Sequence, residues 1–371
     1  MKLLITTQKL DINDASFNFF NSWIREFAKN CEKVTVICLE KGEYDLPDNV
    51  NVLSLGKEEI KYPPVSPPDW TVVRAGPLGK GGGYKLLYVW RFYKYIWQER
   101  KNYDAVFVHM NPEYVILGGI FWKLFKKKIS LWYVHRAVNL KLRIAEKVSD
   151  VIFTVAKESF RINSSKVKVL GHGIDMSKNN FIAGNSHEKF NIALVGRITK
   201  IKNQKLLVDI ADILINKLQE KEFKFNLIGS PVSREDKKYH DEVKNLIKKK
   251  ELSAYIKFLG NAQNQHIYDN VDLSINLCPT GGLDKVVLEA MARGCIVVSS
   301  NRGFDGILPD RLLIKDVNPE MIAKKIMDIK NMPESEKEQL RKKSRNEVEQ
   351  NHNLEKLVEK IMKELYVSSR A

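Results

Sequence analysis

Leu273-Ser274-Ile275-Asn276-Leu277 is a short apolar run. After it come Thr280-Gly281-Gly282-Leu283-Asp284-Lys285-Val286-Val287-Leu288-Glu289-Ala290-Met291-Ala292-Arg293-Gly294 and then Cys295-Ile296-Val297-Val298-Ser299-Ser300. The order is strand, glycine turn, amphipathic helix, strand, which reads as one βαβ unit of a parallel sheet. A glycine turn at a helix N-terminus offers backbone N–H groups and the positive end of the helix dipole to an anion. Glu289 stands about a turn and a half inside that helix, where a carboxylate can accept hydrogen bonds from ribose hydroxyls. Together these features point to a nucleotide that carries a phosphate tail.

The same alternation runs outward from this unit. Strands are predicted at 3–7, 33–39, 105–109, 129–134, 151–155 and 167–170, with helices at 17–28, 84–101, 115–125 and 137–149. A polar segment rich in Asn, Ser and Gly at 176–189 breaks the pattern and reads as a linker. A second series follows, with strands at 191–195, 224–228, 256–259, 273–277 and 296–299 and helices at 204–217, 240–249 and 264–270. A last helix is predicted near 354–366. The fold class expected is α/β, with two Rossmann-like doubly wound domains facing a cleft. We place them at 1–180 and 188–350, with a C-terminal helical segment 351–371 packing back toward the first. In such sheets ligands bind beyond the carboxyl ends of the strands.

A chain of 371 residues exceeds one ordinary core, which agrees with two domains. The hydrophobic share of 44% and charged share of 29% describe a globular protein and exclude fibrous and disordered classes. The longest apolar run, 115–122, is too short to span a bilayer, and the N-terminus has a strand's length with no signal-peptide core. Cys31, Cys38, Cys278 and Cys295 lack metal-type spacing and read as buried thiols in a reducing cytosol. The net charge of +16 is uneven, with 28 Lys and Arg against 18 Asp and Glu through residue 180 and 33 against 27 thereafter. A basic first half suits anionic lipid or a phosphorylated substrate, or is simply a solvated surface. Nucleic acid is not expected, because the basic residues are dispersed and no binding module is recognised.

Residues 62–84 carry Pro63-Pro64, Pro67-Pro68 and Gly81-Gly82-Gly83 with no period, the mark of a functional loop. The helix after them mixes Tyr84, Tyr88, Trp90, Phe92, Tyr93, Tyr95 and Trp97 with Lys85, Arg91, Lys94, Arg100 and Lys101. It reads either as a helix with one face in the core or as one lying on a membrane surface.

Gly196-Arg197-Ile198-Thr199-Lys200-Ile201-Lys202-Asn203 follows the first strand of the second series. The glycine permits a tight turn, and Arg197 and Lys202 bracket the loop with two cations suited to a diphosphate. A helix N-terminus adds about half a positive charge. That balance needs no Mg²⁺, and no Asp-x-Asp element stands at a strand end, so neither metal nor other cofactor is expected.

Taken as an ordered set, several motifs resemble the donor half of glycosyltransferase family 4. They are Val195-Gly196-Arg197 with Lys202-Asn203, Phe258-Leu259-Gly260, and Leu288-Glu289-Ala290-Met291-Ala292 with Gly294. Gly171-His172-Gly173-Ile174-Asp175 is similar to the family's pre-linker motif, and the similarity runs along nearly the whole chain. The resemblance implies a retaining enzyme of the GT-B fold that moves a sugar from a nucleotide-sugar donor to a hydroxyl of a glycan or lipid-linked acceptor. It implies that Arg197 and Lys202 meet the donor diphosphate and that Glu289 binds the ribose. Val286 and Val287 would offer backbone N–H groups to phosphate. Gly229 and Asn261 would lie near the nucleobase, and His135 would approach the transferred sugar. In enzymes of this kind the leaving phosphate itself helps deprotonate the acceptor, so no strong protein base is required.

One departure stands out. The family usually carries two glutamates separated by seven residues; Glu289 is the second, and Gly281 occupies the place of the first. Asp284-Lys285 replaces a glycine-containing dipeptide. We expect Asp284 to cap the helix or to bind a sugar hydroxyl, with Lys285 offsetting its charge. Gly281 and Gly282 supply the turn. Rival readings are a nucleotide-sugar epimerase on the same fold and a non-catalytic sugar-nucleotide binder.

Overall fold

A computed structural model describes residues 1–14, 17–59, 82–182, 188–260, 265–279 and 282–367. The chain divides into two compact units: Met1–Leu170 with Leu357–Ala371, and Gly171–Lys356.

The first unit contains β1 (Lys2–Leu10), α1 (Phe19–Lys29), β2 (Lys33–Lys41), β3 (Val50–Ser54), α2 (Gly82–Gln98), β4 (Ala105–His109), α3 (Pro112–Leu124), β5 (Lys128–Trp132), α4 (Leu140–Val148), β6 (Val151–Thr154) and β7 (Val167–Val169). The seven strands form one parallel sheet in the order β3-β2-β1-β4-β5-β6-β7. Helices cover both faces, so central strands such as β4 are buried at every position and apolar almost throughout. Side chains start the helices where the sequence allows. Asn111 accepts from the Glu113 amide ahead of Pro112, and Asn139 accepts from Leu142 N at 2.9 Å, which moves the start of α4 to Leu140 from the expected 137.

The second unit contains β8 (Phe190–Val195), α5 (Gln204–Asp212), β9 (Phe223–Ile228), α6 (Arg234–Lys249), β10 (Ile256–Gly260), β11 (Leu273–Asn276), α7 (Lys285–Arg293), β12 (Ile296–Ser299), α8 (Pro319–Lys330) and α9 (Glu334–Asn351). Its five parallel strands run β10-β9-β8-β11-β12. The order reverses between β8 and β11, so the carboxyl ends of these two strands flank the topological switch point.

The last helix, α10 (Leu354–Val367), contributes its body to the first unit. Leu357, Val358, Ile361, Met362 and Leu365 are buried, at spacings that line one helix face. Met362 Sδ lies 4.0 Å from Cys31 Sγ, and Tyr366 donates to the Asn30 carbonyl. Burying each such apolar side chain stabilises by about 1.5–3 kcal/mol.

Several expectations change. The edge strand β3 was not anticipated; it is half-buried along its whole length and interrupts its apolar run with Asn51. The helix expected at 204–217 is α-helical only to Asp212 and widens into a π turn over Ile213–Lys217. The one expected at 264–270 is a short 3-10 turn, Gln265–Tyr268. The segment read as a linker from residue 176 is fastened to the second unit through residue 182. Ile182 N donates to Arg293 O at 2.9 Å, and Arg293 Nη1 donates to Lys178 O at 3.3 Å. The Phe181 ring lies so close to Gly294 that a Cβ there would come within 2.6 Å of it.

Candidate functional site

Three neighbouring strands of the second unit end in glycine. Gly196, Gly229 and Gly260 close β8, β9 and β10 with φ of 142°, 140° and 68°, backbone that other residues adopt only with strain. Gly196 N donates to Ile228 O at 2.9 Å, and Gly229 N donates to Gly260 O at 2.7 Å. A Cβ at Gly229 would lie 2.0 Å from the Gly196 carbonyl oxygen. Gly229 therefore lets the ends of β8 and β9 lie against each other with no side chain between them.

From Gly196 the chain enters the basic loop. Arg197 is exposed and forms no ion pair among the described residues, while its carbonyl accepts from Gln204 Nε2 at 3.0 Å. A short 3-10 turn, Lys200–Lys202, leads into Asn203, whose left-handed φ of 59° redirects the chain into α5. Lys202 points back across the switch point.

Its ammonium lies 2.9 Å from Asp284 Oδ2 at the start of α7. The same oxygen accepts from Asn276 Nδ2 at 2.8 Å, at the end of β11. Asn276 Oδ1 in turn accepts from Cys278 N at 3.2 Å, which fixes the orientation of the amide. Asp284 occupies the N-cap position of α7 with extended backbone, but its side chain makes no capping hydrogen bond. The expectation of a side-chain cap is corrected here: the carboxylate turns to Lys202 and Asn276.

Lys285 is also reassigned. Its ammonium lies 2.9 Å from Glu289 Oε1, one helical turn on, so the charge it offsets belongs to Glu289. Consecutive side chains of a helix do not face each other, whereas positions four apart do. A cation at the first position of a helix meets the positive end of its dipole, and lysine ahead of glutamate is the weaker order for such a pair. Helix stability alone does not account for Lys285 in this place.

The turn before α7 is held from behind. Asn301, itself buried, donates from Nδ2 to Gly282 O at 2.7 Å. The buried Tyr268 hydroxyl donates to Val286 O at 2.9 Å. Burial, followed by the Glu289 charge, pushes Tyr268 well above the ordinary phenol range, so the donor proton stays in place. Burial, then the charges of Lys285 and His352, drops His172 to about 3, so the imidazole is neutral; it bonds the Leu283 backbone. In the first turn, Val287 N is engaged by Asp284 O at 3.1 Å, while Val286 N has no acceptor among the described residues. Of the two amides read as phosphate donors, one is thus already occupied.

The second unit therefore gathers Gly196, Arg197, Lys202, Gly229, Gly282, Asp284, Lys285, Val286, Val287 and Glu289 at the carboxyl edge of its sheet. Asn261 and Gly281 lie outside the described residues. His135 belongs to the first unit, on the exposed loop after β5, where Nδ1 accepts from Ala137 N at 3.3 Å. His109, by contrast, is a core residue: it is fully buried, stacked on Phe20 at 3.9 Å, with Nδ1 3.1 Å from Thr7 Oγ1. Sequence reasoning missed Asn276. The only signal for Asn276 was an amide at the end of an otherwise apolar strand. Among the described residues no group of three His, Cys, Asp or Glu side chains is placed to hold a metal ion. No helix among them is long and apolar enough to cross a membrane.

Residues 175–347 match the family described as Glycosyl transferases group 1. No curated protein matches the sequence. Among solved structures the chain is similar to Anabaena HepE in complex with UDP, at 15% identity and a TM-score of 0.73, over 99% of this chain and 100% of that one. It is similar to a glycosyltransferase from Rickettsia africae at 15% identity and 0.71, over 98% of each chain. It is also similar to sucrose-phosphate synthase from Thermosynechococcus elongatus at 14% identity and 0.69, over 99% and 98%. The fold is GT-B.

Proposed function

We propose that the protein transfers a sugar from a nucleotide-sugar donor to a hydroxyl of a glycan or lipid-linked acceptor, with retention at the anomeric carbon and without a metal ion. The observation that carries this reading is the convergence of Lys202, Asp284 and Asn276 with the Lys285–Glu289 pair at the switch point of the second sheet. Arg197, Lys202 and Lys285 bring three cations there against the carboxylates of Asp284 and Glu289. A nucleoside diphosphate leaving group carries about two negative charges. Arg197 stands open to it, and its phosphates compete with Asp284 for Lys202. The α7 N-terminus, with the Val286 amide and about half a positive charge, meets the developing charge as the glycosidic bond breaks.

The other roles rest on the motifs that resemble glycosyltransferase family 4. Glu289 receives the ribose hydroxyls once Lys285 swings toward phosphate. Gly229 and Asn261 border the nucleobase. Gly281 and Gly282 let the turn approach phosphate closely. By the same resemblance, His135 approaches the transferred sugar. The acceptor binds the first unit and loses its proton to the leaving phosphate, while the protein supplies orientation and charge.

Anabaena HepE, crystallised with UDP and with UDP-glucose, makes a uridine donor the first to test. UDP-, GDP- and ADP-sugars are screened by thermal shift. Hits are then incubated with glycan and lipid-linked acceptors in EDTA, and the product's anomeric configuration is read by NMR. A product with the donor's configuration supports the proposal. Inversion overturns the stereochemistry, dependence on added metal overturns metal independence, and an epimer from donor alone makes the protein an epimerase. Binding with neither transfer nor hydrolysis makes it a sugar-nucleotide binder.

A further inference from the structure

Helix α2 carries two apolar stripes. The inner one is ordinary: Phe92 and Ile96 are fully buried in the core of the first unit, and Tyr88 and Tyr95 pack against it. The outer one is Leu86, Trp90, Tyr93 and Trp97, spaced i, i+4, i+7, i+11, and these side chains are 72%, 58%, 41% and 51% exposed. A surface helix normally keeps that face polar. The apolar surface continues onto α3. Tyr93 donates to Leu117 O at 2.9 Å, and the Trp97 ring meets Phe121 and Phe125 edge-on at 5.8 and 5.9 Å. Ile120 and Leu124, in the adjoining row of α3, are 77% and 75% exposed. Single exposed apolar residues are common, but a contiguous face built from two helices marks an interaction site.

The charges around this face are mostly positive. Residues 82–98 contain no Asp or Glu. Lys85, Lys94, Lys101 and Lys126 are exposed around it. Lys94 Nζ lies 5.2 Å from the Trp90 ring centre, and the Arg100 guanidinium 4.2 Å from that of Trp97. The nearby acids Glu113 and Asp150 are held by Lys141 and Lys123.

We propose that the α2–α3 face docks on an anionic lipid surface, with Leu86, Trp90, Tyr93, Trp97, Ile120 and Leu124 entering the headgroup boundary and the surrounding lysines meeting lipid phosphates. Tryptophan and tyrosine favour that boundary, where one part of the ring system is apolar and the other wet. A cationic rim adds attraction for each charge. A second copy of the chain is the poorer occupant, because a two-fold contact through this face sets two cationic rims against each other. The proposal does not depend on the donor chemistry of the second unit, so either can fail alone.

The test is flotation of the full chain with vesicles of phosphatidylcholine alone and of phosphatidylcholine mixed with phosphatidylglycerol, at low and high salt. The protein floats with the anionic vesicles at low salt and is largely released at high salt. Leu86→Gln/Trp90→Gln/Ile120→Gln abolishes flotation. Lys85→Gln/Lys94→Gln/Lys101→Gln lowers the vesicle partition roughly a hundredfold. All six positions are solvent-facing, and unchanged thermal midpoints show that the variants fold. Absence of flotation overturns the proposal, as does flotation unaffected by both variants. A dimer in sedimentation that Leu86→Gln/Trp90→Gln/Ile120→Gln dissolves, with no lipid binding by the monomer, overturns it in favour of self-association.

Discussion

Lys202 Nζ lies 2.9 Å from Asp284 Oδ2, and this contact ties the loop after β8 to the first residue ahead of α7. Both side chains are largely shielded, at 15% and 22% exposure, so the pair is stronger than one in open water. An incoming phosphate must take Lys202 from Asp284 while tolerating the carboxylate beside it. Asp284→Asn therefore tightens the binding of UDP or another nucleoside diphosphate by about five- to tenfold, a coupling on the order of 1 kcal/mol. Isothermal titration of both proteins checks this. Equal or weaker binding by the variant shows that Asp284 positions Lys202 instead of competing for it.

The Lys285–Glu289 pair separates two roles. Glu289→Gln keeps the shape but weakens the ribose hydrogen bonds, and kcat/KM for a nucleotide sugar falls about tenfold or more. Lys285→Ala weakens nucleoside diphosphate binding but leaves the affinity for the free nucleoside unchanged. Unchanged donor affinity and turnover in Lys285→Ala counts against any role for this lysine in the site.

The glycine strand ends differ in what they tolerate. Gly229→Ala sets a Cβ 2.0 Å from the Gly196 carbonyl and forces a residue into φ near 140°. It costs about 3 kcal/mol or more. Gly260→Ala meets nothing within 4 Å, at a φ of 68°. Its cost is the ordinary left-handed penalty of about 1–2 kcal/mol. Urea denaturation of the two variants ranks them, and equal losses remove the steric account.

His109 fixes a pH dependence. Burial lowers its pKa from 6.5 to about 3, so the folded protein keeps it neutral where an unfolded chain takes up a proton. Its contribution to stability is complete above pH 6.5 and is lost progressively as the pH falls toward 3. The loss amounts to on the order of 1.4 kcal/mol for each pH unit below about 6. His109→Gln is less stable at neutral pH and has a flatter acid limb in denaturation between pH 6.5 and 4. Parallel limbs assign the acid sensitivity to other groups.

Much of this was legible in the chain itself. The strand, glycine turn and helix around 273–299 announce a parallel sheet, and the ordered motifs place Arg197, Lys202 and Glu289 in one domain. The partner of Lys202 was not legible, because Asp284 lies 82 residues away and only the sheet order brings them together. Lys285 was matched to its sequence neighbour Asp284, although helix geometry turns adjacent side chains apart and carries Lys285 to Glu289. Helix α9 gave no apolar period because its buried face includes Arg341 and Ser344 beside Leu340 and Val348. Asn276 carried no pattern, since one amide at a strand end is common and its contact depends on tertiary structure.

The buried face of α10 has a consequence for how the protein is made. Leu357, Val358, Ile361, Met362 and Leu365 complete the unit whose first strand begins at Lys2, and the whole of Gly171–Lys356 is synthesised between them. On the ribosome the amino-terminal sheet thus waits, its floor near Cys31 uncovered, until the carboxyl-terminal helix emerges. The unit begun first is the one finished last, and chaperone demand during translation should centre on that uncovered floor.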